Sequence, residues 1–322
     1  MRLARIVRGR AVLRTIDRPA DALGAVDGVV APTLVGTRGL DLVDLRVDAE
    51  PARLDIVALA ALRARGAALV IGVSALPRSG GVLDALIPTA DAVTTLTGAA
   101  ARDIERRWGV RPTVVPHPNA VPLDLVDRPR PDRPRPRIGL DLGADPASAA
   151  RRLPMLAVLA AEAPARGADL VVDLERPALA DPRVAAALDA LGDDSAVEVL
   201  VHDGLAAAER WRRWQRLDLA VLAHLPPAAH SQRLEACYDL GTRVLARRDG
   251  YGPDQQAGVL DYGVDRDGDP VAVDVVAALD RIAEPGGPGP WRADRAEREA
   301  QRRRAGLALV DVYHRALAEV RA

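Results

Sequence analysis

Hydrophobic and polar positions alternate between two periodicities along most of the chain. Short Leu-, Val- and Ile-rich runs such as Ala68–Val73 are apolar at every position, which is typical of strands buried on both faces of a parallel sheet. Between them, stretches such as 54–65 place apolar side chains three and four residues apart, which predicts helices. Because strand and helix follow each other repeatedly, the pattern predicts parallel sheets with right-handed helical crossovers.

The predicted elements fall into two successive series. Thr97 is a predicted helix cap, and Gly66 is a predicted helix end. The predicted strands are 42–45, 68–73, 91–96 and 113–115, then 138–142, 170–173, 197–201, 217–222 and 243–246. The predicted helices are 54–65, 98–109, 154–163, 205–216, 231–240 and 293–320.

A proline-rich segment, 128–137, separates the two series. Proline at near-alternate positions favours a stiff, extended connector. The sequence therefore predicts a first α/β domain over 1–127, a linker over 128–137, and a second α/β domain over 138–322 that ends in a long helix. Doubly wound sheets bind ligands at the carboxyl ends of their strands, so the predicted site is the cleft between the domains.

Composition narrows the class of protein. The 322 residues are 49% hydrophobic and 28% charged with a net charge of −1, which indicates a globular chain and argues against a nucleic-acid partner. Cys237 is the only cysteine, which excludes a disulfide framework and a cysteine-based zinc site. No apolar run reaches about 18 residues, so we expect no membrane span and a cytoplasmic location.

Signatures of several other chemistries are missing from the sequence. It has no Gly-x-Ser-x-Gly elbow, no phosphate loop ending in Gly-Lys, and no Gly-x-Gly-x-x-Gly turn after the first strand. The five histidines are scattered without metal-ligand spacing. We therefore expect neither a metal nor a cofactor.

The segment that begins at Ser231 carries the most specific chemistry. Pro226 and Pro227 precede it, and Ser231 then begins a helix whose first backbone N–H groups favour an anion such as a phosphate. Glu235 lies one turn later on the same face and could hold two ribose hydroxyls. The competing interpretation is that Ser231 is only a helix cap and Glu235 an exposed helical residue.

Ordered motifs in both halves carry a family resemblance. The second half contains His230-Ser231 followed by Leu234-Glu235-Ala236 and Asp239-Leu240-Gly241-Thr242, with 201–204, 217–222, 250–251 and 254–255 around it; the first half contributes 90–100, 107–109 and 114–118. Over about residues 41–260 the chain resembles GT-B glycosyltransferases, in particular the retaining nucleotide-sugar group called family 1 or family 4, in its compact high-GC bacterial branch.

The resemblance implies two Rossmann-like domains facing across a cleft, and metal-independent transfer of a sugar from a nucleotide-sugar donor to an unknown acceptor. The nucleotide sugar would be a substrate, not a cofactor. The implied site residues are His117 as the catalytic residue, His230, Ser231, Glu235, Asp254 and Gln255 for the donor, and Arg46 and Asp48 on the acceptor side. A structural role for His117, as a hydrogen-bond partner in a loop, is the alternative.

Three positions depart from the family pattern. Pro227 stands where a sugar-binding carboxylate is common, and 140–146 carries acids, which would repel a diphosphate, where relatives have basic residues. The segment 44–48 lacks the usual histidine motif. Arg151 or Arg152 could supply the missing charge, although both are expected on a helix surface. The alternative function is therefore a non-catalytic binding or scaffold protein.

The Arg-rich segment 295–304 also contains Glu297 and Glu299, which favours a solvated helix face. Weak peripheral attraction to anionic lipid is the alternative for this segment.

Overall fold

The computed structural model describes residues 2–7, 10–15, 30–31, 40–47, 56–76, 81–117, 119–130, 133–192, 196–223, 230–284 and 291–321. The chain divides into two compact units. The first comprises 1–118, 226–230 and 296–322, and the second comprises 119–225 and 231–295.

The first unit is built on a seven-stranded sheet in the order β3-β2-β1-β4-β5-β6-β7. All strands from β4 onward are parallel, whereas β2 is antiparallel to both of its neighbours. The hairpin β1–β2 was absent from the sequence prediction. The strands are β1 (Arg2–Val7), β2 (Arg10–Thr15), β3 (Val30–Ala31), β4 (Leu42–Val47), β5 (Ala68–Val73), β6 (Ala92–Thr95) and β7 (Thr113–Val114).

The helices of this unit begin and end at local signals. The Thr97 side chain accepts from the Ala100 N–H at 3.2 Å, and Gly109 ends the same helix with φ 68°, as the sequence predicted for Thr97. The helices are Ile56–Arg63, Val82–Leu86 and Gly98–Trp108, with a short 3₁₀ turn at Ile87–Thr89.

The long terminal helix, Arg295–Arg321, belongs from Ala296 onward to the first unit, whereas the sequence analysis placed it in the second. Its buried side chains join β4 and β5 in one core: Leu42, Ala68, Val70 and Val115 pack with Ala305, Leu309, Val312, Tyr313 and Ala316. Leu307, predicted on the apolar face, is 53% exposed. The apolar face therefore centres on Leu309 and Tyr313, and it completes a sheet surface that lies far away in sequence.

The second unit has a six-stranded sheet that is parallel throughout, in the order β10-β9-β8-β11-β12-β13. The order reverses direction between β8 and β11, which is the place where such sheets bind ligands. The strands are β8 (Arg137–Gly143), β9 (Asp169–Glu175), β10 (Val197–His202), β11 (Leu219–Leu222), β12 (Arg243–Arg247) and β13 (Leu260–Tyr262).

Helices cover the two faces of this sheet unequally. One face carries the larger core, in which Leu156, Leu159 and Leu279 pack over Leu170 and Val172. Over the other face lies the helix Ala207–Gln215, none of whose side chains is fully buried. The helices are Pro146–Ala150, Leu153–Ala165, Pro182–Asp189, Ala207–Gln215, Gln232–Leu240, Gly252–Gln255 and Ala272–Ala283, with a 3₁₀ turn at Arg176–Ala180.

The chain enters the second unit earlier than the proline-rich segment predicted, between Pro118 and Asn119. Val121 and Val126 are buried against Ala236 and Leu240. Arg130 donates to the carbonyl oxygen of Gly241 at 2.7 Å and to the Asp218 carboxylate at 2.8 Å. The start of the predicted linker is therefore fixed on the second unit.

Candidate functional site

The helix Gln232–Leu240 begins in the second unit at Ser231, as the sequence predicted. The Ser231 hydroxyl accepts from the Leu234 N–H at 3.2 Å, and the Ser231 N–H donates to Gln255 Oε1 at 2.7 Å. Gln255 Nε2 donates in return to the Ser231 carbonyl oxygen at 2.8 Å. These bonds use the amides of Ser231 and Leu234. The other N–H groups of the first turn, those of Gln232 and Arg233, have no hydrogen bond to a described residue and are the candidates for an anion.

Glu235 is buried, not exposed. Its side chain is 2% accessible, and its carboxylate accepts from Gln255 Nε2 at 3.1 Å and from Gln256 Nε2 at 3.1 and 3.0 Å. The interpretation of Glu235 as a solvated helical residue is therefore wrong. A carboxylate has about four lone-pair positions, so two amide groups satisfy most of its capacity.

The structure brings Gln255 to this cluster and adds Gln256, which sequence reasoning missed. Gln255 ends the short helix Gly252–Gln255, and Gln256 follows it. Asp254 lies on the same helix and is exposed. The signal in the sequence was the pair of adjacent amides, which alone does not indicate contact with a glutamate twenty residues earlier.

A second group of charged side chains lies at the carboxyl end of β8. Arg233, in the first turn of the helix Gln232–Leu240, forms an ion pair with the Asp141 carboxylate. Arg152 donates to the backbone carbonyl oxygens of Asp141, at 3.2 Å, and Leu142. The Gly143 N–H, at a residue with φ 77°, donates to Asp141 Oδ1 at 2.6 Å.

This arrangement corrects the expectation that the acids in 140–146 repel a diphosphate. Arg233 balances the charge of the Asp141 carboxylate, and Arg152, which is held by backbone carbonyl oxygens, brings a further positive charge close to it. Asp145 caps the helix Pro146–Ala150 through the Ser148 N–H, and hydrogen bonds from Ser148 lower its pKa. Sequence reasoning missed Arg233 because its partner, Asp141, lies on β8, far from the helix in the sequence.

Burial shifts the pKa values of the Arg233 and Arg152 guanidinium groups in the same direction. It lowers the pKa of Arg233 to about 10 and lowers the pKa of Arg152 as well. Arg233 stays protonated at neutral pH, since its pKa lies well above 7. Arg152 is partly buried as the cap of the helix Leu153–Ala165, which differs from the predicted helix-surface position.

In the first unit, two histidines of the predicted site lie together. The rings of His117 and His230 stack with centroids 4.7 Å apart and an angle of 25° between their planes. Gln301 Nε2 donates to the His117 carbonyl oxygen at 3.2 Å, and Arg298, which is 2% exposed, donates to Gln301 Oε1 at 2.5 Å. His230 is the last residue of its segment of the first unit, and the chain enters the second unit at Ser231.

The predicted acceptor-side residues are only partly covered by the structure. Arg46 pairs with the buried Asp44 carboxylate at 3.1 and 3.2 Å, and its side chain is 19% exposed. Most of its charge is thus already compensated. Asp48, like Pro227 and His224, lies outside the described residues.

Solved structures share this fold at low sequence identity. A glycosyltransferase from Rickettsia africae has a TM-score of 0.54 at 14% identity, over 87% of this chain and 74% of that chain. An alpha,alpha-trehalose 6-phosphate synthase from Burkholderia multivorans has a TM-score of 0.54 at 16% identity, over 88% and 72%. The UDP-GlcNAc 2-epimerase from Methanocaldococcus jannaschii, solved with UDP-GlcNAc and UDP, has a TM-score of 0.51 at 11% identity, over 81% and 74%.

These likenesses establish the fold: the chain has the GT-B architecture of two α/β domains and a long terminal helix. No protein-family model and no curated protein sequence matches the chain. Among the residues that the structure describes, no helix is long and apolar enough to cross a membrane, and no three His, Cys, Asp or Glu side chains are grouped to hold a metal ion.

Proposed function

We propose that this protein transfers a sugar from a nucleotide-sugar donor to an acceptor, without a metal ion, as a retaining enzyme of the family 1 or family 4 type. The observation that carries the proposal is the junction of the helix beginning at Ser231 with the end of β8, where Arg233 pairs with the Asp141 carboxylate and Arg152 donates to the Asp141 carbonyl oxygen. A nucleoside diphosphate would lie at this junction.

The charge at the junction suits a diphosphate. A helix N-terminus carries about half a positive charge, and its outward N–H groups bind phosphate oxygens. Arg233 balances Asp141, and Arg152, whose acceptors are backbone carbonyl oxygens, adds a further positive charge. Because negative charge builds up on the departing diphosphate during transfer, such a site stabilises the transition state more than the bound donor, which is the condition for catalysis.

Glu235 would hold the ribose of the donor. Its carboxylate accepts from Gln255 and Gln256, so ribose hydroxyls must replace at least one amide. The exchange substitutes one set of donors for another and keeps the buried carboxylate satisfied, which avoids the penalty of an unpaired charge. Asp254 and His230 keep their predicted donor-side roles in this proposal.

His117 is the proposed catalytic residue, and Arg46 and Asp48 are the proposed acceptor-side residues. The stack with His230 fixes the plane of the His117 ring, and Gln301 holds its backbone. A group fixed in this way needs little rearrangement to act in a transition state.

The test combines binding and turnover on the full chain. Isothermal titration with UDP, ADP and GDP identifies the base, and product analysis with the corresponding nucleotide sugars, in EDTA, measures transfer or donor hydrolysis. We expect one nucleoside diphosphate to bind, with Glu235→Ala weakening its affinity by about tenfold or more. Glu105→Ala, at an exposed position in the first unit, is the matched control.

Each result has a fixed meaning. Binding with turnover in EDTA supports the proposal. Binding that Glu235→Ala weakens, without turnover of any donor, overturns the transferase and leaves a donor-binding protein. Absence of binding by all three nucleotides overturns the site.

A further inference from the structure

A pocket of about 330 Å³ lies inside the second unit, between the sheet and the helix Ala207–Gln215. It shares only the Arg233–Asp141 pair with the proposed donor site and contains neither Ser231 nor Glu235. Its volume falls within the range of small-molecule sites, which is about 300–1,000 Å³.

The strand register orders the pocket from one end to the other. Gly139, Val171 and Ala220 are level with one another across β8, β9 and β11, and Glu198 of β10 is in the same row. Two residues further along, the next row has Asp141, Asp173 and Leu200. Arg137 lies two residues before Gly139, at the start of β8. The pocket therefore runs along the strands, with an apolar middle between two charged ends.

The end nearest the carboxyl ends of the strands is already satisfied. Asp141 is paired with Arg233, and Asp173 accepts from Arg213 at 3.2 Å and contacts His202 Nε2 at 2.6 Å. Arg213 also donates to Glu209 at 3.0 Å. Because these charges are matched, this end has little attraction for another charged group.

The middle of the pocket is apolar. Val171, Leu217, Ala220 and Leu222 are between 2% and 8% exposed and line it together with the partly buried Trp214. The helix above contributes Trp214 to this part, and none of its side chains is fully buried, so it does not fill the space. An apolar body is the natural occupant of this part of the pocket.

The opposite end is cationic. Arg137 lies here by its register, and Arg216 is near it, because Asp218, two residues after Arg216, donates its N–H to the Arg137 carbonyl oxygen at 2.7 Å. Arg212 lines the pocket one helical turn before Arg216, and Glu198 pairs with Arg137. Arg212 and Arg216 lie one helical turn apart and are exposed, and neither has an ion-pair partner among the described residues. The Nε atom of Arg137 is buried, and no described residue provides it with a hydrogen-bond partner.

We propose that this pocket binds a small amphipathic carboxylate, with its apolar body against Val171, Ala220 and Trp214 and its carboxylate at Arg137, Arg212 and Arg216. Guanidinium groups bind carboxylates in pairs of parallel hydrogen bonds, which fixes the head of the ligand. A neutral amphiphile fits the apolar part and leaves the cationic end unused. An anion without an apolar body leaves the middle empty.

The experiment uses three probes on the full chain: decanoate, decanol and acetate. We expect titration calorimetry to show decanoate binding more tightly than decanol by about tenfold or more, and acetate not binding. Arg212→Gln combined with Arg216→Gln removes the advantage of decanoate and leaves decanol unchanged. Arg210→Gln, on the same helix but outside the pocket, is the matched control and retains the preference.

Filling the pocket tests its location. Ala220→Leu extends a side chain into the apolar middle and abolishes binding of both decanoate and decanol; Val171→Leu, from a different strand, serves if Ala220→Leu lowers the thermal unfolding temperature. Equal affinity for decanoate and decanol, no binding of decanoate, or undiminished binding in both folded filled variants overturns the proposal. Nucleoside diphosphate affinity is expected to be unchanged in the Arg212/Arg216 variant, which separates this site from the donor site.

Discussion

The Tyr313 hydroxyl donates a hydrogen bond of 2.7 Å to the Asp44 carboxylate, and the two residues are 269 positions apart in the chain. Both are completely buried. Asp44 also pairs with Arg46 on its own strand. Two donors thus compensate a charge placed in the middle of an apolar strand, and one of them comes from the terminal helix. The helix is joined to β4 by a polar contact as well as by its apolar face.

Replacing Tyr313 by Phe removes only the hydroxyl and tests this connection. We expect a loss of about 2 kcal/mol of stability in the first unit, since the bond goes to a charged and buried acceptor. Hydrogen exchange measured by mass spectrometry is expected to show faster exchange in β4 and in the terminal helix, with the second unit unchanged. Leu307→Ala, on the same helix at an exposed position, is expected to change neither.

A double-mutant cycle with Asp44→Ala, which removes the acceptor, tests whether the hydroxyl acts through this bond. If it does, Tyr313→Phe costs much less in the Asp44→Ala background than alone. Additive losses would mean that the hydroxyl contributes independently of Asp44.

Asp239 gives a prediction for the second unit. Its carboxylate is 0% exposed and accepts from the backbone N–H groups of Ala120, at 2.6 Å, and Val121, at 3.2 Å. Both bonds go to Oδ2, so Asp239→Asn keeps an oxygen that can accept them but removes the charge that strengthens them, and we expect a loss of about 1–2 kcal/mol in urea unfolding monitored by hydrogen exchange of the second unit. Asp189→Asn, at an exposed position, is the control. An unchanged stability would show that Asp239 is not needed to hold the backbone of Ala120 and Val121 against the helix Gln232–Leu240.

Local signals allowed much of the second unit to be predicted. The helix Gln232–Leu240 was predicted within one residue because Ser231 caps it and Gly241, with φ 76°, ends it. The hairpin β1–β2 was missed, because arginines at positions 2, 5, 10 and 14 interrupt the apolar run in both strands. The helix Ala272–Ala283 was also missed, although its apolar residues have helical spacing.

Only those residues of the candidate site that lie on a single helix could be predicted from the sequence. Ser231 and Glu235 follow from spacing along that helix. The burial of Glu235 depends on Gln256, and the neutralisation of Asp141 depends on Arg233, and both partners are brought in by tertiary contacts. The same limit explains why the terminal helix was placed on the wrong unit: an amphipathic pattern shows that a face is buried but does not identify its partner.

Cys237 is expected to be unreactive in the folded protein. It is 0% exposed, and burial raises its pKa from 9.0 to about 12. The unfolded chain ionises this thiol near pH 9 and the folded chain does not, so its contribution to stability is complete below pH 9 and decreases as the pH rises towards 12. Ellman's reagent at pH 8 should therefore label the thiol only after denaturant is added. Rapid labelling of the native protein would contradict the burial of Cys237.

The pair Asp141–Arg233 gives the sharpest prediction for the donor site, because its two members should affect diphosphate binding in opposite directions. Arg233→Gln removes a cation from the helix N-terminus and is expected to weaken nucleoside diphosphate binding by about tenfold. Asp141→Asn removes the carboxylate that pairs with Arg233 and leaves the backbone carbonyl oxygen that accepts from Arg152. It is expected to strengthen binding, at some cost in stability, since Arg233 then lacks its partner until the diphosphate replaces it. Titration calorimetry on both variants measures the two signs, with Arg166→Gln, whose partners are Glu162 and Asp280, as the control. If Asp141→Asn and Arg233→Gln weaken binding equally, the ion pair maintains the shape of the junction and its guanidinium group does not bind the phosphates.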